Sequence, residues 1–93
     1  MPDPVTVPPM LYLPAVEHPD GWQYAIVREL TDGRMGLLAY TALDRLADKC
    51  GPNQPWVLVA TADLGRIKEV QPFDVVAFDL QIPLGHLADG RIA

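Results

Sequence analysis

Two stretches of the chain repeat one plan. Leu37-Leu38-Ala39-Tyr40-Thr41-Ala42-Leu43-Asp44-Arg45 and Leu58-Val59-Ala60-Thr61-Ala62-Asp63-Leu64-Gly65-Arg66 each pass from an apolar run through Thr-Ala into an amphipathic turn. The pattern reads as a buried strand that stops at a threonine, whose hydroxyl can cap the first free amides of a helix. It confines this part of the chain to strand–helix–strand–helix, closed by a last strand over residues 74–82. Helix starts at strand ends also hold ligands in small α/β proteins. Thr41 and Thr61 are therefore candidate contacts for a small ligand or anion.

The rest of the chain adds strands in front of this unit. Residues 1–9 carry four prolines and are predicted to form an arm. Residues 10–16 make a short apolar strand, which Pro14 restricts to a sheet edge or a strand end. Residues 22–30 form the next strand, and Asp32-Gly33 turns it back into residues 35–40 as an antiparallel hairpin. Leu43, Leu46, Ala47 and Cys50 fall on one helical stripe, started by Thr41 with Asp44 and ended by Gly51-Pro52. The second helix, Thr61 to about Val70, is shorter and weakened by Gly65. After Pro83 the chain turns polar and is expected to fray.

The expected fold is α+β: a small mixed sheet of about five strands with two helices on one face, in the order β-β-β-α-β-α-β. It occupies residues 10–83, between the arm (1–9) and a tail (84–93). Right-handed crossovers between sequential neighbours would put both helices on the same side of the sheet. The other side would then be bare. Trp22, Tyr24 and Val75 are the candidates to lie there, where they would favour a homodimer.

Composition removes several function classes. Ninety-three residues make one domain, and 49% apolar residues suffice for a core. The net charge of −5 leaves no basic stripe for nucleic acid. Acids and bases balance over residues 41–69, so the excess acid in the flanks serves solubility. One cysteine suits a reducing compartment. No apolar run is long enough to span a membrane, and the amino terminus lacks the pattern of a secretion signal. The expected location is the cytoplasm.

Candidate chemistry is thin. Cys50 lies on the apolar stripe at a helix C-terminus, where the dipole disfavours a thiolate. His18 and His86 sit in turns with no second ligand at metal spacing. A serine nucleophile is impossible because the chain contains no serine. Asp44, Asp48, Asp74 and Asp79 read as capping, solvated or strand-edge carboxylates, and Trp56 as a core or interface anchor. No catalytic residue, metal ligand or cofactor motif is assigned. The expected function is a non-catalytic, self-associating interaction module; the alternative is a small-ligand or anion-binding domain at Thr41 and Thr61.

The strand Leu37–Thr41, Leu43 and Leu46 on the following helix, Trp56-Val57-Leu58-Val59, and Phe73 to Asp79 together resemble the amino-terminal domain of the SseB (enhanced serine sensitivity) family. The likeness covers residues 10–83 and is closest to the short, single-domain members common in actinobacteria. The resemblance implies a small α+β domain with no catalytic residues to transfer, and a protein partner sometimes tied to secretion-linked loci. The Asn-Pro that follows the last strand in longer members is missing here.

Overall fold

The computed structural model describes residues 8–92. Residues 1–7 of the proline-rich arm lie outside that range. The elements are β1 (Met10–Glu17), β2 (Gln23–Ala25), β3 (Val27–Glu29), β4 (Met35–Ala39), α1 (Leu43–Cys50), β5 (Trp56–Ala60), α2 (Leu64–Val70), β6 (Val75–Phe78), β7 (Leu87–Ala88) and β8 (Arg91–Ile92). The α+β class holds. No helix among the described residues is long and apolar enough to cross a membrane.

The strand order differs from sequential pairing. β1 lies between β5 and β2, antiparallel to both, while β4 lies between β3, antiparallel, and β6, parallel. An antiparallel bridge between Tyr12 and Tyr40, with N···O distances of 2.9 and 2.8 Å, joins β1 to β4. At that level the sheet runs β5-β1-β4-β6. Farther along, β1 and β4 part, and the predicted 22–30 strand enters the gap broken in two. β2 pairs with β1, and β3 pairs with β4. Ile26 is the crossing point, donating its N–H to the Pro14 carbonyl at 3.3 Å and accepting the Leu38 N–H at 3.0 Å.

This gap explains Pro14. The proline is buried in the middle of a central strand, neither at a sheet edge nor at a strand end as predicted. Odd residues of β1 bond toward β5, as in Ala15 N–H to the Pro55 carbonyl at 2.8 Å; even residues such as Tyr12 bond toward β4. The donor that Pro14 lacks therefore falls where β4 leaves β1, and no ladder bond is lost.

The helices lie on opposite faces, which corrects the prediction of one shared face. Leu11, Leu13, Leu37 and Ala39 point one way and pack with Phe73 under Leu64 and Ile67 of α2. Leu38 and Tyr40 point the other way and pack with Leu46 and Cys50 of α1. The physical reason is the strand order. The α1 crossover runs from β4 past β1 to β5, and the α2 crossover returns past both strands to β6. Two crossovers of the same hand in opposite directions place their helices on opposite sides.

The predicted tail is ordered into the domain over residues 84–92. Leu87 and Ile92 pack on the α1 side of the core, and β7 and β8 form a hairpin. Its turn, Asp89-Gly90, has positive φ at both residues (56° and 75°), the two-residue hairpin signature that the sequence carried all along. Buried Gln54 ties it down. Its Nε2 donates to the Ala15 and Pro55 carbonyls at 3.1 and 2.9 Å, and its Oε1 accepts the Ile92 N–H at 2.8 Å. Asn53 adds a bond to the Asp89 carbonyl at 2.9 Å.

Candidate functional site

Neither threonine caps a helix. α1 starts two residues after Thr41, and Ala42 occupies the cap position with no side-chain bond. Thr41 instead faces Asp79, at the end of the neighbouring parallel strand. Its N–H donates to Asp79 Oδ1 at 3.0 Å and its hydroxyl to Oδ2 at 2.9 Å. Arg45 reaches the same Oδ2 at 2.9 Å. Burial alone would raise the Asp79 pKa, but the two Thr41 bonds and the Arg45 guanidinium outweigh it and hold the carboxyl below its usual range. Asp79 adopts a positive φ of 51°, a left-handed conformation that aspartate tolerates.

The carboxyl ends of parallel strands, with crossovers leaving in both directions, are the usual place for a ligand in such sheets. Here an internal carboxylate occupies it. An external anion at Thr41 would have to displace Asp79. Thr61 is committed in the same way: its N–H donates to the Pro9 carbonyl at 2.9 Å and its hydroxyl bonds the Pro8 carbonyl. Both hydroxyls are therefore spent within the chain.

Asp74 and Asp79 bracket β6 and clasp both ends of β4. Asp74 Oδ2 accepts the Met35 N–H at 2.8 Å, and the Asp74 N–H donates to the Met35 carbonyl at 2.7 Å. They act as brackets for a four-residue parallel ladder. Cys50 is fully buried, and burial pushes its thiol pKa up against the opposing contact with Tyr40. Leu46 and Cys50 fill the predicted stripe, whereas Leu43, at the first turn, is 39% exposed.

Trp22 and Tyr24 lie together at the start of β2, and Val75 lies on β6. Trp22 ends the β1–β2 turn, with its N–H on Asp20 Oδ1 at 2.8 Å, and is 70% exposed. With Tyr24 it lines a shallow hollow beside Ile67 and Val70 of α2. Val75 sits on β6 opposite Gly36 and does not line that hollow. A larger hollow of about 530 Å³ lies between β1 and the carboxyl-terminal hairpin, and the amide of Gln54 in its wall has both its donors and its oxygen engaged within the chain.

Sequence reasoning missed the most accessible apolar strand. β5 is an edge strand, with β1 on one side and no neighbour on the other among the described residues. Trp56 and Leu58 are 41% and 50% exposed, beside Met10 at 41%. By register, Pro14 faces Trp56, Tyr12 faces Leu58 and Met10 faces Ala60, so these side chains share one face. Pro55 O and Thr61 N bond to the β1 side, so Trp56, Leu58 and Ala60 turn their backbone N–H and C=O groups outward. Trp56 meets Tyr12 edge-on with ring centroids 5.3 Å apart. The signal was present in Trp56-Val57-Leu58-Val59-Ala60, an uncharged run with large residues at alternate positions. Where it lies in the sheet was not readable. No protein-family model matches the chain, and no curated protein or solved structure matches it either.

Proposed function

We propose that this domain is a non-catalytic protein–protein interaction module of the SseB amino-terminal type, acting in the cytoplasm, and that its partner is a second copy of itself. The observation that carries this reading is the open edge of β5. Exposed edges are ordinarily blunted by charge, proline or a bulge, because their free N–H and C=O groups template another strand. β5 has no charged residue between Trp56 and Ala60 and no covering element among the described residues.

An antiparallel pairing of two β5 strands about a two-fold axis through Leu58 is self-complementary. It sets Leu58 against Leu58 of the partner subunit and Trp56 against Ala60 of the partner subunit. The outward backbone groups gain partners, and the apolar stripe of Met10, Trp56 and Leu58 extends across the join. A stable interface of this kind hides at least ~1,200 Å² in total, to which each tryptophan can contribute up to ~200 Å².

Sedimentation equilibrium tests the reading. The wild-type protein should be dimeric at micromolar concentration. Leu58→Lys should give a monomer with an unchanged far-UV spectrum, because two ammonium groups would face each other across the axis. Trp22→Glu should leave the dimer intact. A monomeric wild type, or a dimer that survives Leu58→Lys and dissociates with Trp22→Glu, would overturn the assignment to β5.

A further inference from the structure

Beside the β3–β4 turn, between β3 and the segment that follows β6, lies a hollow of about 470 Å³ with a polar pair in its wall. Arg28 of β3 is half-buried, and its guanidinium Nη2 meets the Nδ1 of His86. These residues are 58 positions apart in the chain. No carboxylate lies within ion-pair distance of Arg28 among the described residues; the two ion pairs are Arg34–Asp32 and Arg45–Asp79. The contact with His86 lies at the exposed end of the side chain, so the guanidinium is open to a ligand and has no acid of its own to pair with.

The donor pattern is specific. A guanidinium N–H bonded to Nδ1 makes that ring nitrogen the acceptor, so the histidine carries its proton on Nε2. The pair then offers the remaining guanidinium donors and one imidazole N–H, while its one acceptor is already used. Arg34 on the rim is neutralised by Asp32, at 2.6 Å, and Glu29 completes the rim without bonding to Arg28. The rest of the lining is the apolar Leu30, Leu80, Ile82 and Pro83 together with the polar Thr31 and Gln81. Leu30 is seated against Gly36, where a Cβ would lie 3.1 Å from its methyl carbons, so its place is set by the backbone of β4.

We propose that this hollow binds a small organic carboxylate with a short apolar body, the carboxylate on Arg28 and His86 and the body against Leu30, Leu80 and Pro83. The guanidinium fork matches a carboxylate bidentately, and the volume falls in the range of small-molecule sites. The site is independent of the β5 edge.

Titration of the isotope-labelled full chain with sodium hexanoate, followed by amide and imidazole NMR, tests this. Saturable shifts are expected at Arg28, Leu30, Gln81 and His86, with a Kd on the order of 1 mM for so small a ligand. Arg28→Gln should weaken binding at least ~10-fold with the spectrum elsewhere unchanged, whereas Arg66→Gln should not. An acetylated tripeptide ending in leucine, as free acid and as amide, separates a free acid from a peptide carboxyl terminus as the source. Tighter binding of the peptide acid than of hexanoate assigns the site to carboxyl termini, and the reverse assigns it to free acids. No saturable shift from either acid, equal binding by Arg28→Gln, equal binding of the peptide amide, or equal shifts from inorganic sulfate would overturn the proposal.

Discussion

Gln54→Met isolates the contribution of one buried amide to the docking of the carboxyl-terminal hairpin. Methionine has nearly the length and volume of glutamine, so no cavity forms and the change is almost purely in hydrogen bonding. Gln54 is 5% exposed, so water cannot readily replace the lost partners. Three bonds disappear: two from Nε2 to the Ala15 and Pro55 carbonyls, and one from the Ile92 N–H to Oε1. The Pro55 carbonyl keeps the Ala15 N–H at 2.8 Å, so its loss is small. The cost falls on the Ile92 N–H and the Ala15 carbonyl. A hydrogen bond contributes about 1 kcal/mol net, and a stranded buried group costs 1–3 kcal/mol. Allowing for the added apolar burial of methionine, the variant should lose about 2–4 kcal/mol.

Urea unfolding measures this directly, with the midpoint falling and the slope unchanged because the same surface is exposed. Native-state amide exchange adds a local readout. Ile92 should exchange through opening of the hairpin, while the amides of β4 slow or speed only with global stability. A loss below about 1 kcal/mol, or an unchanged Ile92 exchange rate, would refute the view that Gln54 anchors the hairpin.

Asp79→Asn tests the internal carboxylate. The folded pKa of Asp79 is depressed, so its stabilisation is complete above the unfolded value near ~4 and is lost as pH falls through the folded value. Urea midpoints taken from neutral to acid pH should therefore fall more steeply for wild type than for Asp79→Asn, which should lose about 1–2 kcal/mol at neutral pH while still tolerating positive φ. Parallel pH profiles would show that Asp79 is not ionically engaged in solution. Gly51→Ala combines a φ of 112° with a Cβ placed 2.0 Å from the Gly90 carbonyl oxygen. Thermal melts should show a loss above about 2 kcal/mol, and a loss under about 1 kcal/mol would mean that the loop yields.

The local plan was legible because its signals are local. The Leu46–Cys50 stripe, the Gly51 terminator, the Asp32-Gly33 hairpin and the strands at 35–39 and 56–60 each depend on residues within a few positions of one another. The two Thr-Ala repeats correctly marked where strands give way to helices. They did not reveal what the threonines bond to, because Asp79 and Pro8 lie 38 and 53 residues away in the chain. Strand order, and with it the placing of α1 and α2 on opposite faces, depends on which strand completes which ladder. Alternation of apolar residues is the same whichever neighbour is chosen. The same limit concealed the role of Pro14, whose missing donor is harmless only where β1 and β4 part. Arg28 and His86, far apart in sequence, read separately as a strand residue and a turn histidine. β5 became an open edge only when β1 took its other side. An uncharged alternating strand suits the middle of a sheet as well as its margin, and only tertiary structure decides which one water reaches.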